Sequence, residues 1–307
     1  MTASSKFTGK LIVIEGPTAS GKTTIAIEIA KHFGTEIISA DSRQFYGEIP
    51  IGTAAPTKAE QNEVFHHFVG SLSVIDDYNV YKFEHDVLNL LNTKLVDTPI
   101  VIMTGGSGLY IDAVCMGIDI LPDIDESIRI STNELFEKKG LPALQEKLLQ
   151  LDPVYYNQVD LNNPKRLLRA IEVCLQTGTP YSELRKNKPQ QRNFNIIKIG
   201  IRIPRDILVE RINNRVDEMM RNGWVEEAKS VYPHKQLNSL NTVGYKELFA
   251  FFENKLTLGQ AVEKIKTNTR RYAKRQMTWF RKDKEIQWFD YEDIEDMVDF
   301  VERKVCW

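Results

Sequence analysis

The eight residues "GPTASGKT", 16–23, follow directly after the apolar run "LIVIE". The two glycines permit a tight loop whose backbone N–H groups face an anion, and the lysine adds a positive charge beside it. A helix that begins at Lys22 would present the positive end of its dipole to the same anion. The order strand, loop, helix therefore predicts a phosphate-binding loop, in which the hydroxyl of Thr23 is available to Mg²⁺. Its residues are Gly16, Pro17, Thr18, Ala19, Ser20, Gly21, Lys22 and Thr23.

Further apolar runs extend this pattern along the chain. "EIISADS" and "TPIVIMTGG" read as strands, and helical stretches such as "VYKFEHDVLNLLNTKL" lie between them. Near-continuous apolar strands separated by helices predict an α/β fold, a P-loop NTPase-like parallel sheet with helices on both faces. A later strand candidate, "NIIKIGIRI", begins at Asn195. From Arg205 to the C-terminus the pattern is helical, with "YPHKQLNSLNTVGY" as the main break. We expect a core of residues 1–121 and 193–307 and an inserted, mostly helical subdomain at 122–192.

Composition limits the kind of protein that this chain can be. Its 307 residues are 42% hydrophobic, which is enough to bury a sizeable core, and the formal net charge of −2 gives no overall basic character. Three cysteines lie far apart, so neither a disulfide framework nor a zinc site is expected. No segment has the pattern of a signal peptide, and no apolar run approaches the roughly 18 residues of a membrane span. We expect a cytoplasmic protein without a membrane partner, and we take a monomer as the default.

Two more loops follow predicted strands. Asp41 ends the strand "EIISAD", where a carboxylate can hold a metal through water or take a proton from a nucleophile, although it can also serve as a helix N-cap. The segment "TGGSGLY" has three glycines that allow close backbone approach to a ligand. Because the carboxyl ends of parallel strands open at one edge of a sheet, we expect these loops and the phosphate loop to converge on one crevice.

The second half of the chain carries clustered cations. "NNPKRLLRAIEVCLQTGTPYSELRKNK" and "KIKTNTRRYAKRQMTWFRKDK" are basic, the latter with interleaved aromatics, and the acidic "YEDIEDMVDFVE" compensates for them in the total charge. Such segments are typical of solvated helix faces, but they also suit RNA, whose loops expose bases for stacking. Arg211 and Arg215 share one helical face, so one of them could reach the crevice and stabilise a departing phosphate, with surface salt bridges as the alternative. His66 and His67 are interpreted as packing residues.

Eight segments occur in one order: "GPTASGKT", "DSRQFY", "IGTAAPT", "GGSGLYIDAV", "NNPKRLLRAIEV", "RVDEMMRNG", "TVGYKEL" and "RRYAKRQMTWFR". Together they resemble the tRNA dimethylallyltransferases, also called tRNA isopentenyltransferases, from about Gly16 to Arg281. The resemblance implies transfer of a dimethylallyl group from dimethylallyl diphosphate to N6 of the adenosine immediately 3′ of the anticodon. The implied substrates are tRNAs reading codons that begin with U, the products are N6-isopentenyladenosine and diphosphate, and the cofactor is Mg²⁺.

The resemblance also implies roles for individual residues. The catalytic ones are Asp41 as general base, Thr23 as Mg²⁺ ligand and Arg215 as diphosphate contact. The anticodon stem-loop of tRNA would be bound by Asp41, Ser42, Arg43, Gln44, Ser107, Arg129, Lys165, Arg166, Leu167, Leu168 and Arg169, to which the basic C-terminal segment adds Arg271 and Arg275. On this interpretation 1–121 and 193–307 form the P-loop catalytic core, and the inserted subdomain 122–192 is a tRNA-binding subdomain. An adenine inside a stacked loop is unreachable, so it must be extruded into the crevice.

Some positions depart from the family pattern. Ser107 stands where the family usually has Thr and keeps the hydroxyl, whereas Ala55 replaces a common Lys. The chain ends without the zinc-finger extension of many eukaryotic relatives, as expected for a bacterial-type enzyme. Two rival interpretations stay open from the residues alone. One is a small-molecule P-loop kinase with ATP in the loop, and the other is a non-catalytic RNA-binding protein that uses a nucleotide as a switch.

Overall fold

The structure, a computed structural model, describes residues 6–186 and 188–305. Within these ranges one sheet contains six strands, and every neighbouring pair is parallel. The strands are β1 (Lys10–Glu15), β2 (Ile37–Ser39), β3 (His66–His67), β4 (Ile100–Gly105), β5 (Asn195–Arg202) and β6 (Gln287–Asp290). Their order across the sheet is β3-β2-β4-β1-β5-β6, so β1 is central and β4 lies between it and β2.

Helices connect these strands and continue beyond them. In the described part of the chain they are α1 (Lys22–Phe33), α2 (Lys58–Glu63), α3 (Val80–Asn92), α4 (Gly108–Met116), α5 (Glu126–Leu151), α6 (Pro153–Tyr156), α7 (Pro164–Thr177), α8 (Tyr181–Leu184), α9 (Arg205–Arg221), α10 (Trp224–Val231), α11 (Tyr245–Phe252), α12 (Leu258–Phe280) and α13 (Ile294–Val305). No helix among the described residues is both long enough and apolar enough to cross a membrane.

Both faces of the sheet are covered by helices. On one face, strand residues such as Val13 pack with Phe83 of α3 and Phe280 of α12. On the other face, Ile12 and its neighbours pack with α1 and with Met297 of α13. Alternating side chains of one strand therefore enter two different cores, as the near-continuous apolar strands predicted. The predicted α/β class with a parallel sheet is confirmed.

The sequence pattern did not predict β3 and β6. β3 contains only His66 and His67, and β6 (Gln287–Asp290) lies in the C-terminal part of the chain, where the pattern predicted helices. Runs of two and four residues are too short to establish a period of two, so only pairing with β2 and β5 reveals them. The prediction that the pattern after Arg205 is helical, with one main break at 232–245, was wrong at β6.

The chain divides into two compact units. The first contains the residues up to Cys115 together with those from Arg192 onward, and the second contains 116–191. Besides the sheet, the first unit has a third apolar cluster, formed by α9 to α12 with the segment after β2. Trp224, Tyr245 and Leu248 lie at its centre.

The second unit is helical, from α5 to α8. Its core contains Leu144, Leu148 and Ile171, each fully buried. Helix α5 is kinked at Gly140, whose φ of 71° lies in the left-handed region, so two helical segments meet there. The side chain of Asn163 accepts a hydrogen bond from the N–H of Arg166 and caps the basic first turn of α7.

Candidate functional site

The phosphate loop connects β1 to α1 in the first unit. Ala19 has φ 65° and Gly21 has φ 94°, so two left-handed residues turn the chain within three positions. Gly21 is the N-cap of α1 and has no side chain, so no capping side chain accepts hydrogen bonds from the N–H groups of the first helical turn. Those N–H groups and the helix dipole make this end of α1 a site for an anion. The Nζ of Lys22 donates to the carbonyl of Pro17 at 2.8 Å and so lies over the loop.

Gln276 of α12 holds two loops together. Its Oε1 accepts a hydrogen bond from the N–H of Thr18 at 2.8 Å, and its Nε2 donates to the carbonyl of Gly106 at 2.8 Å. The side chain is 5% exposed, and both ends of its amide are used. Helix α12 therefore fixes the phosphate loop relative to the loop that follows β4.

The loop after β2 lies against the same place. Asp41 accepts a hydrogen bond from the N–H of Arg43 at 3.1 Å, and the N–H of Ser42 donates to the Oγ of Ser107 at 3.0 Å. A Cβ placed on Gly106 would lie 3.4 Å from the Oδ2 of Asp41. The loops after β1, β2 and β4 thus meet at the carboxyl edge of three adjacent strands.

Helix α9 brings two arginines to this edge. The Nη1 of Arg215 donates to the Oγ1 of Thr18 at 3.3 Å, and its Nη2 donates to the carbonyl of Ala54 at 3.4 Å. One turn earlier, the Nη1 of Arg211 lies 3.8 Å from where a Cβ on Gly21 would be. The sequence indicated that one of the pair could reach the crevice, and in the structure both line it.

The crevice consists of a large cavity and a small one. The large cavity, of about 920 Å³, is lined by residues of the phosphate loop, by both arginines and by most of the segment 50–58. The small cavity, of about 100 Å³, is lined by Arg43, Tyr272, Trp224 and Val243 among others. Thr18, Ala19, Asp41, Thr53, Ala54, Arg215 and Met219 line both. The two cavities therefore share a wall that contains Asp41 and Arg215.

Burial shifts the titration of these groups. Burial raises the pKa of Asp41 above its ordinary value, although the Arg43 N–H and the nearby cations oppose the shift. Burial, helped by the charge of Arg215, lowers the pKa of Lys22 to about 7, while Asp41 opposes that shift. Burial also lowers the pKa of Arg215. Burial therefore disfavours the charged form of each group relative to water. A bound anion would stabilise the positive charges of Lys22 and Arg215.

A crevice with a phosphate loop, a buried carboxylate and two arginines suits several phosphate chemistries. The comparison with known families separates them, because the model of IPP transferases matches residues 44–283, most of the chain. The chain belongs to the IPP transferase family.

Individual members of the family are similar to it over most of their length. The tRNA dimethylallyltransferase of Christiangramia forsetii is 50% identical, with 96% of this chain and 98% of that protein covered. The tRNA dimethylallyltransferase 2 of Azobacteroides pseudotrichonymphae is 52% identical over 93% of each. The crystal structure of the tRNA isopentenylpyrophosphate transferase of Bacillus halodurans has a TM-score of 0.71 at 33% identity and covers 96% of both chains. A eukaryotic dimethylallyltransferase acting on tRNA has a TM-score of 0.75 at 25% identity, with 97% of this chain and 77% of that one covered.

The residues around the phosphate loop of this IPP transferase fit a magnesium site with few protein ligands. Among residues 6–186 and 188–305, no group of three or more His, Cys, Asp or Glu side chains could hold a metal ion. Thr23 lines the large cavity, and its hydroxyl makes no hydrogen bond with a described residue. Mg²⁺ in phosphate sites commonly keeps several waters and takes few protein ligands besides the phosphates. A single hydroxyl beside the phosphate loop fits that pattern, whereas a carboxylate cage does not.

The predicted RNA contacts are distributed over both units. In the first unit Arg271 and Arg275 are exposed on α12, and Gln44 is engaged within the protein, since its Nε2 donates to the Ala54 carbonyl at 3.0 Å. In the second unit Arg129, Lys165 and Arg166 are exposed, and Arg169 and Leu168 are half-buried. Leu167 is fully buried in the core of that unit, so its side chain packs there and only its backbone is left for RNA. RNA binding by these residues stays a prediction.

Three residues of the site escaped sequence reasoning. Gln276 bridges two loops, as described, and Glu227 accepts hydrogen bonds from the N–H groups of Ile51 and Gly52 and so holds the loop that forms one cavity wall. His66 was interpreted as packing. It is 5% exposed and its Nδ1 lies 2.8 Å from the carbonyl of Val64, but it also lines the large cavity, where its buried Nε2 has no partner among the described residues. Gln276 lies inside the segment "RRYAKRQMTWFR", whereas Glu227 and His66 lie outside all eight segments, so no local sequence signal pointed to those two.

Proposed function

We propose that this IPP transferase moves a dimethylallyl group from dimethylallyl diphosphate to N6 of the adenosine immediately 3′ of the anticodon in tRNAs that read codons beginning with U. The observation that carries the proposal is that Asp41 and Arg215 border both cavities. One cavity contains a phosphate loop for the donor, and the other opens beside Arg43 and Tyr272, a cation and an aromatic ring suited to a nucleobase.

The donor binds through its diphosphate in the large cavity. The N–H groups of the loop and of the first turn of α1 bind the phosphate oxygens, and Lys22 and Arg215 add charge. In the structure Lys22 donates to Pro17, so on binding it exchanges a carbonyl for a phosphate. Mg²⁺ held by Thr23 would neutralise part of the diphosphate charge when bound.

The acceptor is the anticodon stem-loop of tRNA. The adenine leaves the stack of its loop and enters between Asp41 and Arg215 from the side of the small cavity. Arg271 and Arg275 lie on the same helix as Tyr272, so that helix offers phosphate contacts next to a stacking surface. The exposed cations of α7 in the second unit add further phosphate contacts.

The chemistry is a substitution at an allylic carbon. A bond forms between N6 of the adenine and C1 of the prenyl group, and the bond from C1 to the diphosphate oxygen breaks with its electron pair going to the diphosphate. The proton of N6 passes to Asp41, whose raised pKa makes its carboxylate a better base than an exposed aspartate. Lys22 and Arg215 stabilise the negative charge that grows on the leaving diphosphate, and because they are already in place little reorganisation is needed.

All the residues that line the candidate crevice belong to the first unit, so the proposed site needs no residue from a second copy, and we take the enzyme to be a monomer. A tRNA substrate supports a cytoplasmic location. The test is incubation of the purified protein with Mg²⁺, labelled dimethylallyl diphosphate and tRNA that lacks the modification, followed by nuclease digestion and mass spectrometry. Prenylated adenosine confined to the position 3′ of the anticodon is expected. Phosphorylation of a small molecule by ATP, without a prenylated nucleoside, would contradict the proposal and favour a kinase.

A further inference from the structure

Arg211 is a second guanidinium at the phosphate loop, and the roles proposed above do not use it. It lies on α9 one turn before Arg215, lines the large cavity and does not line the small one. Its guanidinium carbon lies 4.4 Å from the centre of the Tyr291 ring, just after β6. The ring orients the planar guanidinium by stacking, so its direction towards the loop is set before any ligand binds.

This guanidinium lacks an ion pair in the described part of the chain. No described carboxylate lies within 4.0 Å of it, although other cations of the same unit, such as Arg202 with Asp290 at 3.3 Å, do have such partners. The ring of Tyr291 is partly buried and packs against the apolar core between α1 and α13, so the ring is itself held in place. A half-buried, oriented and unpaired arginine beside the N-terminus of α1 is a ready partner for an anionic oxygen.

The two arginines face different ends of the loop. Arg215 contacts Thr18, next to Asp41 and the wall that both cavities share, whereas Arg211 faces Gly21 and only the large cavity. Four residues along a helix separate the two positions by about 6 Å along the axis. That span suits two linked phosphate groups better than a single one.

We propose that Arg211 binds the terminal phosphate of the donor and thereby makes the site specific for a diphosphate over a monophosphate. Arg215 then binds the phosphate whose oxygen is bonded to the prenyl carbon. Tyr291 is a positioning residue, because it acts on the ligand only through Arg211. The inference rests on the proposed function for the identity of the donor, but the binding of inorganic anions tests it independently of tRNA.

The experiment compares wild type, Arg211→Gln and the control Arg221→Gln by calorimetry with inorganic diphosphate and with orthophosphate, both with Mg²⁺. Arg221 is exposed on the same helix and does not line the cavity, so its substitution removes the same charge without the contact. For Arg211→Gln we expect the Kd of diphosphate to rise roughly 10- to 100-fold, as for a lost hydrogen bond to a charged group, and the Kd of orthophosphate to change less than about threefold. The control should match wild type.

Equal weakening of both anions would overturn the proposal, because it would indicate a general field effect or damage to the fold, and so would unchanged binding of diphosphate. Tyr291→Leu should weaken diphosphate binding in the same direction but less, and Tyr291→Phe should retain it because the ring is kept. In turnover assays Arg211→Gln should raise KM for the donor with kcat little changed, since the contact is made in ground state and transition state alike. Failure of the wild-type protein to prenylate tRNA would contradict the proposed function, but it would not affect the comparison of diphosphate and orthophosphate binding.

Discussion

The side chain of Gln276 accepts a hydrogen bond from the backbone N–H of Thr18 at 2.8 Å, although 258 positions separate the two residues. The same amide donates to the carbonyl of Gly106. Because an amide has one acceptor end and one donor end, the two bonds fix its orientation and lock the two loops in one arrangement. The proposed binding surface for the phosphates is therefore preorganised by α12, the helix whose exposed face carries Arg271 and Arg275.

Substitution of Gln276 should impair donor binding without unfolding the protein. Gln276→Leu removes both bonds, leaves the Thr18 N–H without its partner, and is expected to raise KM for dimethylallyl diphosphate about tenfold. Gln276→Glu keeps the acceptor but loses the donor and adds a negative charge near the diphosphate, so its loss should be larger. Thr278→Ala, an exposed change on the same helix, is the matched control. A normal KM for Gln276→Leu would show that the loops hold their arrangement without α12.

Asp41→Asn should separate binding from chemistry. Asn retains an oxygen that accepts the N–H of Arg43, so the loop should keep its shape, but it cannot take the proton of N6. We expect near-normal Kd values for donor and tRNA, and a single-turnover rate lower by a factor on the order of 10² or more. A single-turnover rate close to wild type would exclude Asp41 as the base, and loss of either ligand would point to a structural role instead.

The sequence was most informative where a function depends on backbone geometry. Glycines and a lysine after an apolar strand determine a tight loop between strand and helix locally, so the backbone geometry of residues 16–23 was predictable from eight letters, while their binding of phosphate stays a prediction. Arg211 and Arg215 were predicted to share a face, but their distances to Gly21 and Thr18 depend on how α9 packs on the first unit, which no local pattern records. Gln276 was unpredictable as a bridge because its partners are distant in sequence, and β6 because four residues establish no period.

The pH dependence of kcat/KM for the donor should have two limbs. Activity should rise with pH as Asp41 loses its proton, at a pH above the ordinary value for aspartate because burial raises its pKa. It should fall again as pH rises through about 7, because Lys22 then loses the charge that binds the diphosphate. kcat/KM reports the free enzyme, so the kcat profile should lack the alkaline limb once a bound diphosphate stabilises the charge of Lys22.

Lys22→Arg tests the assignment of the alkaline limb. Arginine keeps its charge over the whole measured range, so the fall near pH 7 should disappear from the kcat/KM profile even if the absolute rate is lower. An unchanged alkaline limb in this variant would assign it to another group.

Binding of tRNA should depend steeply on salt. Each cation that neutralises a phosphate releases counterions, so log Kd should change linearly with log salt concentration. Arg271→Gln and Arg275→Gln should each lower the magnitude of that slope by about one, whereas Arg221→Gln should leave it unchanged. Filter binding at several salt concentrations measures the slope, and equal slopes for all variants would exclude α12 as an RNA-binding surface.

Gly105, the last residue of β4, is expected to tolerate no side chain. A Cβ there would lie 2.2 Å from the carbonyl oxygen of Ala40 and 2.4 Å from its carbon, and these are backbone atoms next to the β2–β4 pairing, which has no room to yield. Gly105→Ala should therefore lower the free energy of unfolding by about 2–3 kcal/mol, the cost of an overpacked interior. Gly259, in the first turn of α12, has no atom within 4 Å of its Cβ position, so Gly259→Ala should stabilise the protein by up to about 1 kcal/mol. Urea denaturation of both variants measures the difference. Equal stability of the two would mean that the loops after β2 and β4 separate easily, and that their close approach does not hold Asp41 in place.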